Sequence, residues 1–334
     1  MSETVAELTR PPSQFDYLPV GLFGSVMGLT GLSTAWRLAL AQYGASAFLT
    51  PIAAVLGIVA MMTFLALLAG YAVKAITAFH AVKAEFNHPI AGSLFGTLLI
   101  SLLLLPIVLA PYSLLAARVL WTAGAFGMIL FDWLIVSRWM SDRQQVAHAT
   151  PTWIIPVVGL LDVPLALPML HLPPMNGLIV LALAVGMFFA VPLFTLIFSR
   201  LLFEPPLPDF LKPSLLILVA PFAVGYSTYS IASGPADLFA QALYMLTLFV
   251  LAVLLGQLRH LPVCCPFRVS WWAVSFPLAA SAIAALRFAA AKPAFVTDLI
   301  GWVLLGLATL VIAGLFARTV LGLARGELRA LSTA

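Results

Sequence analysis

Apolar residues fall in ten long segments that follow one another almost end to end, near 17–40, 50–79, 88–111, 113–137, 151–173, 177–202, 212–234, 238–257, 267–291 and 296–324. Each is long enough to cross a hydrocarbon layer of ~30 Å at about 1.5 Å per residue. Charged residues are confined mostly to the short links between them. The pattern predicts an all-α integral membrane protein of ten transmembrane helices. Proline and glycine punctuate the turns at 111–113, 171–177 and 233–237, so the helices should pair into five hairpins. The whole of 17–324 reads as one membrane domain, with tails at 1–16 and 325–334 on the cytoplasmic side.

Prolines alternate along this series. Pro19, Pro89, Pro106, Pro111, Pro151, Pro156, Pro164, Pro168, Pro173, Pro213, Pro221 and Pro277 lie in or at the ends of odd segments, whereas the even ones hold only Pro51 and Pro192. A proline lacks a backbone donor and clashes with the preceding turn. The freed carbonyl needs a partner that buried protein or a wet cavity can supply and lipid cannot. The odd helices should therefore form an inner ring around a narrow central pore, with quasi-five-fold repetition, and the even helices should face lipid. On the first helix Gly21, Gly24, Gly28 and Gly31 form one small-residue face. That face suits either tight helix packing or space for a passing ion. On the last helix Gly301 and Gly306 are candidates for contacts between protomers.

Composition narrows the class. The chain is 63% hydrophobic and 8% charged, with mean hydropathy +1.11, which no soluble domain of 334 residues shows. The first 16 residues contain no apolar run, and no signal peptide is expected. With the N-terminus inside, twelve of the 16 lysines and arginines fall on the cytoplasmic side. Only Arg37, Arg118, Arg287 and Lys292 fall outside, so the positive-inside rule puts both termini in the cytoplasm of a multi-pass inner (plasma) membrane protein. The basic residues form no patch, which argues against nucleic acid. Cys264 and Cys265 are adjacent in a cytoplasmic link and are expected to be inert thiols. No metal-ligand spacing, nucleophile–base pairing or phosphate loop occurs, so no cofactor, no metal and no enzyme activity are expected.

A few polar residues bear on transport. Asp162 lies near the middle of the fifth segment, where a carboxylate is costly and usually has a function or a partner. Three readings stand: a pair with Arg118 or Arg37, a neutral hydrogen-bonded role, or proton coupling. Asp132 is nearer the cytoplasmic end and is expected to pair with Arg138 or a neighbouring link. Arg37, Arg118 and Arg287 could attract anions or snorkel to headgroups.

Five stretches carry a family resemblance: YLPVGLFGSVMGLTGLSTAW (17–36), KAEFNHP (83–89), PTWIIPVVG (151–159), APFAVGYSTY (220–229) and WWAVSFPLAA (271–280). In this order the chain resembles the TehA/plant slow-anion-channel family, also called the tellurite-resistance/dicarboxylate transporter family. The resemblance implies an inner ring of odd helices, a homotrimer with one pore per protomer, and anion conduction. It implies that Phe276, beside Pro277, plugs the pore as its gate and that Gly24 faces that ring. The pore wall is expected to include Gly24, Gly28, Pro156, Gly159, Pro221, Gly225 and Pro277. Members range from tellurite-resistance proteins and malate permeases to sulfite exporters and guard-cell anion channels. A passive channel for small monovalent anions is therefore weighed against a proton-coupled carrier of a dicarboxylate, sulfite or tellurite-like oxyanion that uses Asp162, and against a membrane scaffold without flux. The carrier reading is the weaker because Asp162 stands nearly alone. The topology has a direct check: cysteines introduced as Pro205→Cys and Gly326→Cys should react with an impermeant maleimide only from the cytoplasmic side, and labelling from outside refutes the assignment.

Overall fold

A computed structural model describes residues 17–44, 50–235 and 237–332. The N-terminal tail expected at 1–16 lies outside them. Every regular element among the described residues is helical. We number the long helices α1 (Val20–Phe23 continuing as Gly24–Tyr43), α2 (Pro51–Thr77), α3 (Ala91–Leu109), α4 (Leu114–Ser141), α5 (Pro151–Leu170), α6 (Asn176–Phe203), α7 (Asp209–Ser233), α8 (Leu238–Leu258), α9 (Val269–Ala291) and α10 (Phe295–Ala324). Among the described residues, nine of these, α2 to α10, are long and apolar enough to cross a membrane. The other, α1, has glycine, serine and threonine through its centre where the rest have leucine.

Burial alternates with the prolines. In the apolar windows of α3, α5, α7 and α9, 67–78% of residues are buried, against 22–39% in α2, α4, α6, α8 and α10. Of α1, residues 24–35 are buried without a break. The proline-bearing helices thus form the interior, and the smooth ones present their apolar sides outward, as a bilayer demands.

Each odd helix also begins in 3₁₀ conformation: Val20–Phe23, Ala91–Leu94, Pro151–Trp153, Asp209–Val219 and Val269–Val274. A second 3₁₀ stretch, Gly159–Ala166, interrupts α5. Hydroxyls of neighbouring helices reach across to these segments while also bonding a carbonyl of their own turn, and where a proline removes a backbone donor a side chain takes its place. Thr97 and Ser101 of α3 donate to the carbonyls of Val20 and Phe23, each at 3.2 Å. Ser275 of α9 donates to that of Gly24 at 3.2 Å. In α5 a 3₁₀ bond to the Leu161 carbonyl would have to come from residue 164, a proline without N–H. The Thr228 hydroxyl of α7 donates to it instead, and the Trp121 indole donates to Val163 at 2.8 Å.

The glycine face of α1 resolves into two uses. A Cβ at Gly28 would run into the Ser275 side chain, and one at Gly31 would come within 2.9 Å of Ala279 Cβ. These two glycines let α1 pack closely on α9. Gly21 and Gly24 instead border a cavity. Two indoles tie the pair to the outer layer, Trp36 to Thr309 at 3.1 Å and Trp272 to Thr319 at 2.9 Å. One expectation is corrected here. A Cβ at Gly301 would lie 3.2 Å from Leu286, so this glycine is occupied by α9 of its own chain. Gly306 has open space beside it. The cysteine expectation is corrected too, for Cys265: it is buried and is not a free thiol.

The close seam makes a stability prediction. Gly31→Val should destabilise the folded protein by about 1–3 kcal/mol through overpacking against Ala279, read as a lower thermal midpoint in mild detergent. Gly306→Val, which meets nothing within the chain, should leave that midpoint unchanged.

Candidate pore

A cavity of about 660 Å³ opens among the 3₁₀ starts of the inner helices. Its wall takes Pro19 and Gly21 from the entry to α1, His88 and Ile90 before α3, Thr152 of α5, Leu211 of α7 and Val269 of α9. All five odd helices therefore converge on one vestibule by their N-terminal ends. These ends carry partial positive charge, up to about half a unit each before screening by water. The amide donors at one of them are already used, since His88 Nδ1 accepts from Ile90 and Ala91 at 3.2 and 3.1 Å.

Several of the expected residues meet at the inner end of this vestibule. Gly24, Gly159, Asp162, Phe276 and Pro277 line it together. Phe276 follows the six-residue 3₁₀ segment of α9, which places it ~13 Å along the helix at about 2.0 Å per 3₁₀ residue. Its side chain is buried but for a small face. The ring lies 3.5 Å from where a Cβ on Gly31 would stand, and none of its atoms lies within 4 Å of the equivalent point on Gly24. The glycine in contact with the ring is thus Gly31, not Gly24. Two turns of α1 separate the two, and parallel packing on α9 sets the register.

Four other expected wall residues lie elsewhere. Gly28 faces Ser275, and Gly225 faces the Met187 sulfur of α6. Pro156 and Pro221 are buried within α5 and α7 and do not border the vestibule.

Asp162 sits in the 3₁₀ stretch of α5, 1% exposed, and its Oδ1 has no hydrogen-bond partner among the described residues. Because 3₁₀ turns rise faster, it lies ~20 Å along α5, deeper than an α-helical count gives. The expected pair with Arg118 is not formed. Arg118 donates instead to the carbonyls of Leu170 and His171 at the end of α5, both at 2.8 Å. No ion pair joins Asp162 to Arg37 either, and the Arg37 Nε is enclosed without a partner. The expected Asp132–Arg138 pair is also absent. Asp132 is buried with both oxygens unpartnered, while Arg138 bonds the Phe86 carbonyl at 3.1 Å and lies over its ring at 5.0 Å.

Sequence reasoning missed a polar latch at the vestibule wall. Lys74 of α2 is 4% exposed and binds Glu85 Oε2 at 2.7 Å and the Leu18 carbonyl at 2.8 Å. Tyr71 donates to the same oxygen at 3.1 Å, and Glu85 Oε1 accepts the Val20 N–H at 2.7 Å. Glu85 therefore caps the start of α1 and joins it to α2 and to the link helix Phe79–Asn87. The only signal in the sequence was a lysine near the end of an apolar segment, eleven residues before a glutamate.

Comparison with known proteins agrees with this architecture. Residues 17–320 match the SLAC1 family, described as voltage-dependent anion channels, and the chain belongs to that family. It is 30% identical to the S-type anion channel SLAH3 of Arabidopsis thaliana, over 91% of this chain and 48% of that protein. It is 30% identical to the tellurite resistance protein TehA homolog of Haemophilus influenzae, over 81% of each. An uncharacterized transporter of Methanocaldococcus jannaschii is 29% identical over 58% of this chain and 63% of its own length. The chain spans about half the length of the plant relative it matches.

The latch yields a test of assembly. Lys74→Met leaves the Glu85 carboxylate buried without its cation, and breaking one side of such a pair costs about 3–5 kcal/mol. The thermal midpoint should fall sharply, and the double change Lys74→Met/Glu85→Gln should recover part of the loss. A single variant as stable as wild type refutes the latch.

Proposed function

We propose that this protein is an anion channel in which each protomer carries its own pore, closed at Phe276, and that it passes small monovalent anions down their gradient. The observation that carries the reading is the vestibule that gathers the N-terminal ends of all five odd helices and ends at the Phe276 ring. A phenyl ring in a narrow apolar throat blocks ions sterically and by dewetting. Gly31 beside it leaves room for the ring, and Pro277 and the 3₁₀ turn before it fix its direction. The relatives named as S-type anion channels and a tellurite resistance protein support anion transport as the general activity.

In this reading α1 completes a set of ten crossings with quasi-five-fold arrangement, and 17–324 forms the channel domain. Both termini lie in the cytoplasm, the vestibule opens inward, and the protein works as a homotrimer in the inner (plasma) membrane. A second reading, a proton-coupled carrier of an oxyanion, is favoured by one observation: Asp162 is a buried carboxyl on the vestibule wall with an oxygen left unpartnered.

Bilayer recordings separate the two. Phe276→Ala should raise steady anion conductance at least tenfold while cation permeability stays low, and Phe276→Leu should give a smaller rise. Equal low current in wild type and Phe276→Ala, with both proteins folded, removes Phe276 as the gate. Asp162→Asn cannot exchange a proton. It should keep anion current and its reversal potential if the protein is a channel, and should abolish flux driven by a pH gradient if it is a carrier.

A further inference from the structure

A second cavity, about 480 Å³, lies at the opposite end of the inner helices, where α1, α7 and α9 finish. Its wall is largely apolar, with Leu38, Pro235, Leu286 and Ala290, and its one charged residue is Arg287. No carboxylate lines it, whereas the vestibule wall holds Glu85 and Asp162. The Arg287 Nε is enclosed by protein and has no acceptor. The phenol of Tyr226 stands beside Arg287 and Ser230, within electrostatic reach of both, and makes no hydrogen bond of ordinary geometry. The Tyr244 ring lies 5.8 Å from that of Tyr226, and its hydroxyl is likewise enclosed without a partner.

The acids of the neighbourhood are engaged elsewhere. Asp237 accepts from the Ala240 N–H at 2.8 Å and from the Tyr229 hydroxyl, which hold its carboxyl below the usual range. Asp298 accepts from the Tyr43 hydroxyl at 2.6 Å. Neither lines the cavity.

A guanidinium taken partly out of water needs a counter-charge. Here the described residues supply only neutral polar groups, the two phenols with the Ser230 hydroxyl and the Gln42 amide, and the weak negative ends of three helices. We infer that the missing counter-ion comes from solution, so that this cavity is a second anion site with Arg287 as its ligand. The occupant is a small, weakly hydrated monovalent anion such as a halide or nitrate. One positive charge neutralises one negative charge, and the apolar walls disfavour an ion that must keep its water. The site rests on the channel reading only for its part in conduction: it would hold an anion beyond the Phe276 gate, at the opposite mouth.

Crystals grown with bromide as the anion test it by anomalous scattering. Wild type should show a bromide peak within hydrogen-bond distance of Arg287, displaced by nitrate and not by sulfate. Arg287→Gln should abolish it, and Arg287→Lys, which keeps the charge, should retain it. In detergent, broadening of the ³⁵Cl resonance should require at least about tenfold more chloride to saturate in Arg287→Gln, as expected for losing a hydrogen bond to a charged group. Absence of a peak in wild type, or a peak that survives Arg287→Gln, overturns the inference. If Arg287→Gln does not fold, the wild-type map decides alone. Recording Phe276→Ala with and without Arg287→Gln separates site from channel: bromide bound at Arg287 with no current in any variant keeps the site and removes the channel reading.

Discussion

A carbonyl without a donor cannot be left facing lipid, and the interior of this protein follows from that constraint. In α5, Pro164 leaves the Leu161 carbonyl without a 3₁₀ backbone donor at the helix centre. Thr228 of α7 supplies that donor, and side chains of adjacent helices add further cross-helix bonds: Trp121 to α5, Thr97 and Ser101 to the start of α1, and Ser275 to Gly24. Each such bond ties one inner helix to a neighbour. A helix broken in this way is stable only inside the bundle, which is why proline content and burial alternate together along the chain.

The same breaks create the vestibule. A 3₁₀ start is narrower and rises faster than an α-turn, and five of them set side by side leave a space where unbroken helices would close. Glu85 holds one of these starts in place by accepting the Val20 N–H while Lys74 and Tyr71 hold Glu85. Further in, α1 and α9 approach until Gly28 and Gly31 touch Ser275 and Ala279. The Phe276 ring is left on the vestibule side of that seam, against Gly31. Position of the ring and closeness of the seam are one feature, since any side chain on Gly31 would push on both.

Charge is distributed unevenly between the two ends of the inner ring. The vestibule combines the positive ends of five helices with Arg268, the Asp162 carboxyl and the Glu85 carboxylate, whose charge Lys74 offsets. The opposite cavity combines the negative ends of helices with the guanidinium of Arg287.

Helical class, the approximate limits of the long segments, and the inward choice of the odd ones were legible in the sequence, because hydrocarbon thickness and backbone hydrogen bonding act on each segment separately. Phe276 and Asp162 were found on the vestibule wall for a related reason: the first was marked by the resemblance of 271–280, the second by the cost of a carboxylate in mid-helix. What only the tertiary structure decided is which residues meet across helices. It put Gly31 rather than Gly24 against the ring, turned Gly28 and Gly225 to packing, gave Arg118 to the end of α5 instead of Asp162, and gave Arg138 to Phe86 instead of Asp132. It also joined Lys74 to Glu85 and set Tyr226 beside Arg287. These outcomes depend on the rotation and axial offset of one helix against another. Side-chain fit among several helices fixes both quantities at once, and no single stretch of sequence contains them.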